Sequence, residues 1–150
     1  MTKPIKGMLP VLLVAMAGTG CTTTGDTTGF VDASYNAVMT GQAVTGGGDP
    51  DGFATAQVTV TRNTDAVCYN IAAVRDIGEP VAAHIHRAPA GQNGPVVAEL
   101  DRAEGSGWNG CITDTNLMTA MLQAGPSAYY VQVMTEEYPR GAIRGQLRYD

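Results

Sequence analysis

Short runs of apolar–polar alternation, each bounded by glycine, proline, asparagine or aspartate, restrict this chain to an all-β fold. In residues 31–39, Val31, Ala33, Tyr35, Ala37 and Met39 alternate with Asp32, Ser34, Asn36 and Val38. A period of two marks a strand with one face buried. Residues 53–62 repeat the pattern, with Ala54, Ala56, Val58 and Val60 set against Thr55, Gln57, Thr59 and Thr61; threonine suits the wet face of a strand. A turn at 62–65 leads into residues 66–74, which put Val67, Tyr69, Ile71 and Ala73 on one face and Cys68 on the other, so the two runs read as a hairpin. Further strands are predicted at 81–87, 96–100, 128–135 and 142–149. In the third of these, Tyr130, Gln132 and Met134 share the face opposite Tyr129, Val131 and Val133. In the last, Ile143, Leu147 and Tyr149 point inward, Arg144, Gln146 and Arg148 outward, and Gly145 marks a bulge or a close backbone approach. The exception is one short helix near 115–124, where Leu117, Met118, Met121 and Leu122 form a stripe, Thr113 or Asp114 supplies the cap and Gly125-Pro126 the stop. Seven or eight short strands with turn signals between them predict an antiparallel β-sandwich.

The first twenty residues do not belong to that pattern. Lys3 and Lys6 precede an apolar run from Met8 to Ala17, too short to cross a bilayer and about right for a signal-peptide core. Gly18-Thr19-Gly20-Cys21 then resembles a bacterial lipoprotein site, although Gly18 stands where leucine is usual. The expected organisation is a signal peptide at 1–20, a lipidated Cys21 opening a Thr/Gly tether at 21–29, and a folded domain at 30–150. Ordinary signal-peptidase cleavage is the alternative. The protein is then an exported lipoprotein, held to a membrane by its N-terminal lipid on the periplasmic or outer side. Both lysines fall in the leader, leaving seven arginines against fourteen acids, a net charge of −7. Such a balance excludes nucleic acid as a partner and excludes charge-driven adhesion to anionic lipid.

If Cys21 carries lipid, Cys68 and Cys111 remain as a pair. In an oxidising compartment they are expected to form a disulfide closing a loop of about 44 residues; two free buried thiols are the alternative. Both histidines lie in the 81–87 strand. His84 and His86 are two apart, so they face the same way.

That strand and the loop after it, Ala83-His84-Ile85-His86-Arg87-Ala88-Pro89-Ala90-Gly91-Gln92-Asn93-Gly94-Pro95-Val96-Val97, resemble the signature of the CHRD (chordin-type) domain. A second stretch, from Tyr129 to Leu147, is similar to the closing pattern of the family: Tyr-Val-Asn-Val-His-Thr, Pro-x-Gly, then Ile-Arg-Gly-Gln-Leu. The resemblance spans roughly 35–148 and implies an immunoglobulin-like or superoxide-dismutase-like sandwich with no established enzymatic activity. Where the family usually has a histidine in the closing strand, this chain has Met134.

Two functions follow as expectations. The first is a non-catalytic binding or structural module of the cell envelope, without a cofactor, that recognises an exported protein or an envelope component. Arg87, Asn93, Trp108, Tyr138 and Arg140 are its candidate contact residues, since arginine and large aromatics are enriched in interface hot spots. The alternative is a copper site built from His84, His86 and Met134, because soft sulfur with imidazole selects that metal; the competing role for the two histidines is to hydrogen-bond and hold the loop. Catalysis is not expected, because no Gly-x-Ser-x-Gly or His-Glu-x-x-His motif is present. Arg144 and Gln146 are read as structural, with Arg144 paired to an acid such as Glu99 or Glu136.

Overall fold

The alternating runs become nine antiparallel strands in a computed structural model, which describes residues 32–102 and 107–149. The expected signal peptide, the expected lipidation at Cys21 and the expected tether lie outside the described residues. In chain order the strands are β1 (Ala33–Thr40), β2 (Phe53–Thr61), β3 (Ala66–Arg75), β4 (Pro80–Arg87), β5 (Val96–Glu99), β6 (Trp108–Thr113), β7 (Tyr129–Thr135), β8 (Ile143–Gln146) and β9 (Arg148–Tyr149); the helix α1 (Thr115–Ala124) precedes β7. Their order across the sheet is β5-β4-β7-β8-β1-β2-β3-β6, with β9 pairing β1 off that path. The sheet curls so that β5-β4-β7-β8 and β1-β2-β3-β6 enclose one core, a sandwich continuous along one side.

The inward set is the one that alternation predicts. Tyr35, Ala37 and Met39 from β1, Val58 and Val60 from β2, and Val67, Tyr69 and Ile71 from β3 pack with Ala83 and Ile85 of β4, Val131 and Val133 of β7 and Ile143 of β8. Each large aliphatic buried this way contributes about 1.5–3 kcal/mol. The seam between the halves is narrow. β8 joins β1 at one paired position, Thr40 opposite Arg144. There Gly145 lets the backbones close up, since a Cβ on it would lie 2.8 Å from both Met39 Cγ and the Val38 carbonyl oxygen. The close approach is thus the correct half of the alternative posed by that glycine.

Helix α1 seals the core beside β2 and β3. Asp114 is its cap, accepting from the Asn116 and Leu117 backbone N–H groups at 2.8 and 3.0 Å. Leu117, Met118 and Met121 are buried, and Gly125, at φ 74°, ends the helix. Cys68 and Cys111 face each other across β3 and β6 and form the expected disulfide.

Two inward assignments and one contact assignment are corrected by the structure. Ala73 is exposed with φ 53°, because the β2–β3 register shifts between Phe53 and Thr55 and the alternation breaks there. Tyr149 is 65% exposed, with its ring meeting Tyr35 edge-on at 5.5 Å between centroids. Trp108, expected on a contact surface, is 2% exposed: it sits opposite Ile71 on the inner face of the β3–β6 pair.

Candidate ligand-binding cleft

The outer face of β4, β7 and β8 carries polar side chains in register. His86 lies opposite Tyr130, and Tyr130 opposite Gln146; one step along, His84 lies opposite Gln132, and Gln132 opposite Arg144. On a bare sheet these residues would be wet. Instead every residue of β7 is buried, and Arg144 is 1% exposed. Three loops cover them: residues 88–94, residues 138–141, and the segment between β1 and β2 that brings Thr45.

Gly94 fixes the first loop. It packs so close to Arg87 that a Cβ would fall 2.0 Å from the Arg87 carbonyl oxygen. Its N–H donates to Tyr130 Oη at 3.3 Å, and its carbonyl lies 2.9 Å from His86 Nδ1. A carbonyl only accepts, so Nδ1 carries the proton and the Nε2 of the neutral ring keeps a lone pair. That Nε2 is buried and has no hydrogen-bond partner among the described residues. Burial pulls the His86 pKa below the usual histidine value; the Gly94 bond opposes this, while His84 and Arg144 reinforce it.

Tyr130 stands between two flat groups delivered by the strands on either side. The His86 ring stacks on it at 4.7 Å between centroids, with 4° between planes, and the Arg144 guanidinium carbon lies 3.4 Å from its centre. Arg144 also donates from Nη1 to Thr45 Oγ1 (3.1 Å) and Asn93 Oδ1 (3.3 Å), and from Nη2 to the Pro89 carbonyl (3.2 Å) and Gln146 Oε1 (3.5 Å). The Gln146 Nε2 in turn reaches the carbonyls of Tyr129, Ser127 and Ala88 at 2.7, 2.9 and 3.1 Å. The expected ion pair is therefore corrected. Among the described residues no carboxylate reaches Arg144, because Glu99 is on β5, separated from β8 by β4 and β7, and both Glu99 and Glu136 are exposed. Neutral oxygens and a π-face hold the charge instead. Burial lowers the Arg144 pKa, and Tyr130 partly restores it.

Beside this stack the loops leave an open cleft of about 320 Å³. Its walls include His84, His86 and Met134, together with Asn93 and Arg140 from the proposed contact set. Gln132 lies between them, donating to the Arg140 carbonyl at 2.8 Å with Met134 Sδ 4.0 Å away, while its Oε1 is buried and unpartnered among the described residues. Arg87 and Tyr138 do not line the cleft. The former is exposed beside Tyr129, 5.9 Å from the ring centre, and the latter is half-buried at the base of the 138–141 turn. Tyr130, Gln132, Gly94 and Thr45 are contributions the sequence reading did not assign to a site. The first two share strand parity with Met134, a signal that was available; Thr45 carried none.

The CHRD domain family model matches residues 35–147. Nothing among curated proteins and nothing among solved structures matches the chain.

Proposed function

Since the chain belongs to the CHRD domain family, we propose that it is a non-catalytic binding module of the cell envelope, exported and tethered by lipid on Cys21, whose working surface is the cleft over β4, β7 and β8. The observation that carries this reading is the pair of buried acceptors on one wall, His86 Nε2 and Gln132 Oε1, neither with a partner among the described residues. A buried polar atom left bare costs about 1–3 kcal/mol, and a ligand that donates to both removes that cost. The lining favours binding over chemistry: it offers imidazole, amide, phenol, thioether and guanidinium, but no carboxylate, thiol or serine to work with the imidazoles. The disulfide suits an oxidising compartment, in keeping with the leader.

The partner is an exported protein or envelope component that meets the rim formed by Asn93 and Arg140. A photo-crosslinking residue placed at Arg140 in cells is expected to yield a defined adduct, whereas the same residue at exposed Gln57 on β2 yields none. Equal yields at the two positions, or no adduct at either, would remove the cleft as the partner surface. Loss of membrane association on Cys21→Ser tests the tether separately.

A further inference from the structure

We propose that the cleft is a site for a single soft monovalent metal ion, cuprous copper, held by His86 Nε2, a His84 ring nitrogen and Met134 Sδ. This rests on the reading that the cleft is a binding surface and names what it binds. The first support is the state of His86. The Gly94 carbonyl takes its Nδ1–H, which orients the ring and leaves the Nε2 lone pair buried and unshared. An imidazole fixed through its other nitrogen by a carbonyl is the arrangement in which histidine ligates metals. Tyr130, stacked on the ring and itself held by Arg144, prevents it from swinging away.

The second support is distance. An ion about 2.0 Å from an imidazole nitrogen lies roughly 3.2 Å from the ring centre, so two rings sharing one ion have centres no more than about 6.4 Å apart. The His84 and His86 centres are 5.8 Å apart. Met134 lies two positions beyond Tyr130's neighbour Gln132 on β7, diagonal to His84, and lines the same cleft. Residues at such diagonals are within reach of long side chains.

The third support is charge. No group of three or more histidine, cysteine, aspartate or glutamate side chains that could hold an ion occurs among the described residues. Beside the two imidazoles the cleft offers the Met134 thioether and neutral oxygens but no cysteine, aspartate or glutamate; a thioether as third ligand favours soft copper over zinc, calcium or magnesium. Two guanidiniums stand close, Arg140 at the rim and Arg144 behind Tyr130, and no carboxylate lines the cleft to offset them. A dication pays twice the repulsion of a monocation there. Gln132 Oε1, buried in the same wall, is free to accept from a water or partner group beside the ion.

The test uses the full chain with Cys21→Ser, so that no free thiol competes, and with the Cys68–Cys111 disulfide intact. Under anaerobic conditions cuprous ion is titrated against a chromogenic cuprous chelator, with zinc in a parallel titration. One cuprous ion per chain is expected, with zinc far weaker. Met134→Leu, which keeps the shape and removes the sulfur, is expected to weaken binding at least about tenfold, since losing a ligand costs no less than losing the outer partners of one, about 10–100-fold. Loss of the copper–sulfur scattering shell in X-ray absorption accompanies it. Circular dichroism reports whether the variant is folded, and His84→Gln gives an independent ligand deletion. Retention of all copper by the chelator, equal zinc affinity, or unchanged binding in folded Met134→Leu would overturn the proposal. Adducts specific to Arg140 with no copper binding would overturn the metal alone and leave the cleft as a partner surface.

Discussion

Arg144 places a guanidinium in a covered sheet face where a bare charge would be costly, and its surroundings explain how the fold tolerates it. Five donors in a planar fork meet Thr45, Asn93, Pro89 and Gln146, while the flat face rests on Tyr130. Removing the fork leaves several acceptors without donors and a void under the loops. Arg144→Ala is expected to destabilise the protein by about 3 kcal/mol, and Arg144→Lys by about half as much or more, because an ammonium can neither stack nor span those acceptors. Equilibrium denaturation in urea measures both. A loss under about 0.5 kcal/mol for Arg144→Ala, the scale of an ordinary surface substitution, would mean that the loops re-close without it. The residue's partners were not legible from the chain. Opposite charges are easily paired on paper, whereas a hydroxyl at Thr45, a carbonyl at Pro89 and a ring at Tyr130 acquire their roles only when three separate loops and strands meet.

At the level of elements the local rules are strong enough to be read directly. Period two placed the inward faces of β1, β2 and β7, and the stripe at Leu117, Met118 and Met121 placed α1. The same rule shows two faces of a strand without showing what covers each. For β7 the second face, Tyr130, Gln132 and Met134, is buried as well as the first, because loops 88–94 and 138–141 lie over it. Ala73 failed for a related reason: a bulge shifts parity, and nothing in its neighbours announces one. Two element-scale substitutions test the physical account. Asp114→Ala removes the oxygen that accepts from two backbone N–H groups at the start of α1, and a loss of about 1 kcal/mol in urea denaturation is expected. Gly145→Ala drives a Cβ into the Val38 carbonyl and Met39 at the seam between the halves. The contact with backbone cannot be relieved by a rotamer, so a loss of at least about 2 kcal/mol is expected, visible as a lower melting temperature. A neutral Gly145→Ala would show that β8 and β1 can separate at no cost.

The whole molecule is one sheet whose chain leaves one half and returns to it. After β3 the backbone passes to the opposite half, builds β4 and β5 at its outer edge, and comes back as β6 beside β3. Cys68 and Cys111 tie the point of departure to the point of return, 43 residues apart in sequence. Loop entropy at that length amounts to roughly 4 kcal/mol of unfolded-state restriction. That is a large share of the roughly 5–15 kcal/mol typical of a folded domain. The bond also secures β6, which among the described residues has a neighbouring strand on one side only and is therefore the natural place for fraying. Replacing both cysteines by serine is expected to lower stability by about 2–4 kcal/mol and to raise amide exchange first in β6 and β3, before the β4–β7–β8 face that holds the cleft. Hydrogen-exchange mass spectrometry resolves that order. Exchange rising equally in all strands at low denaturant would show that the bond acts only on the unfolded chain. Faster exchange confined to β6 would show that it also holds β6 against β3 in the folded state.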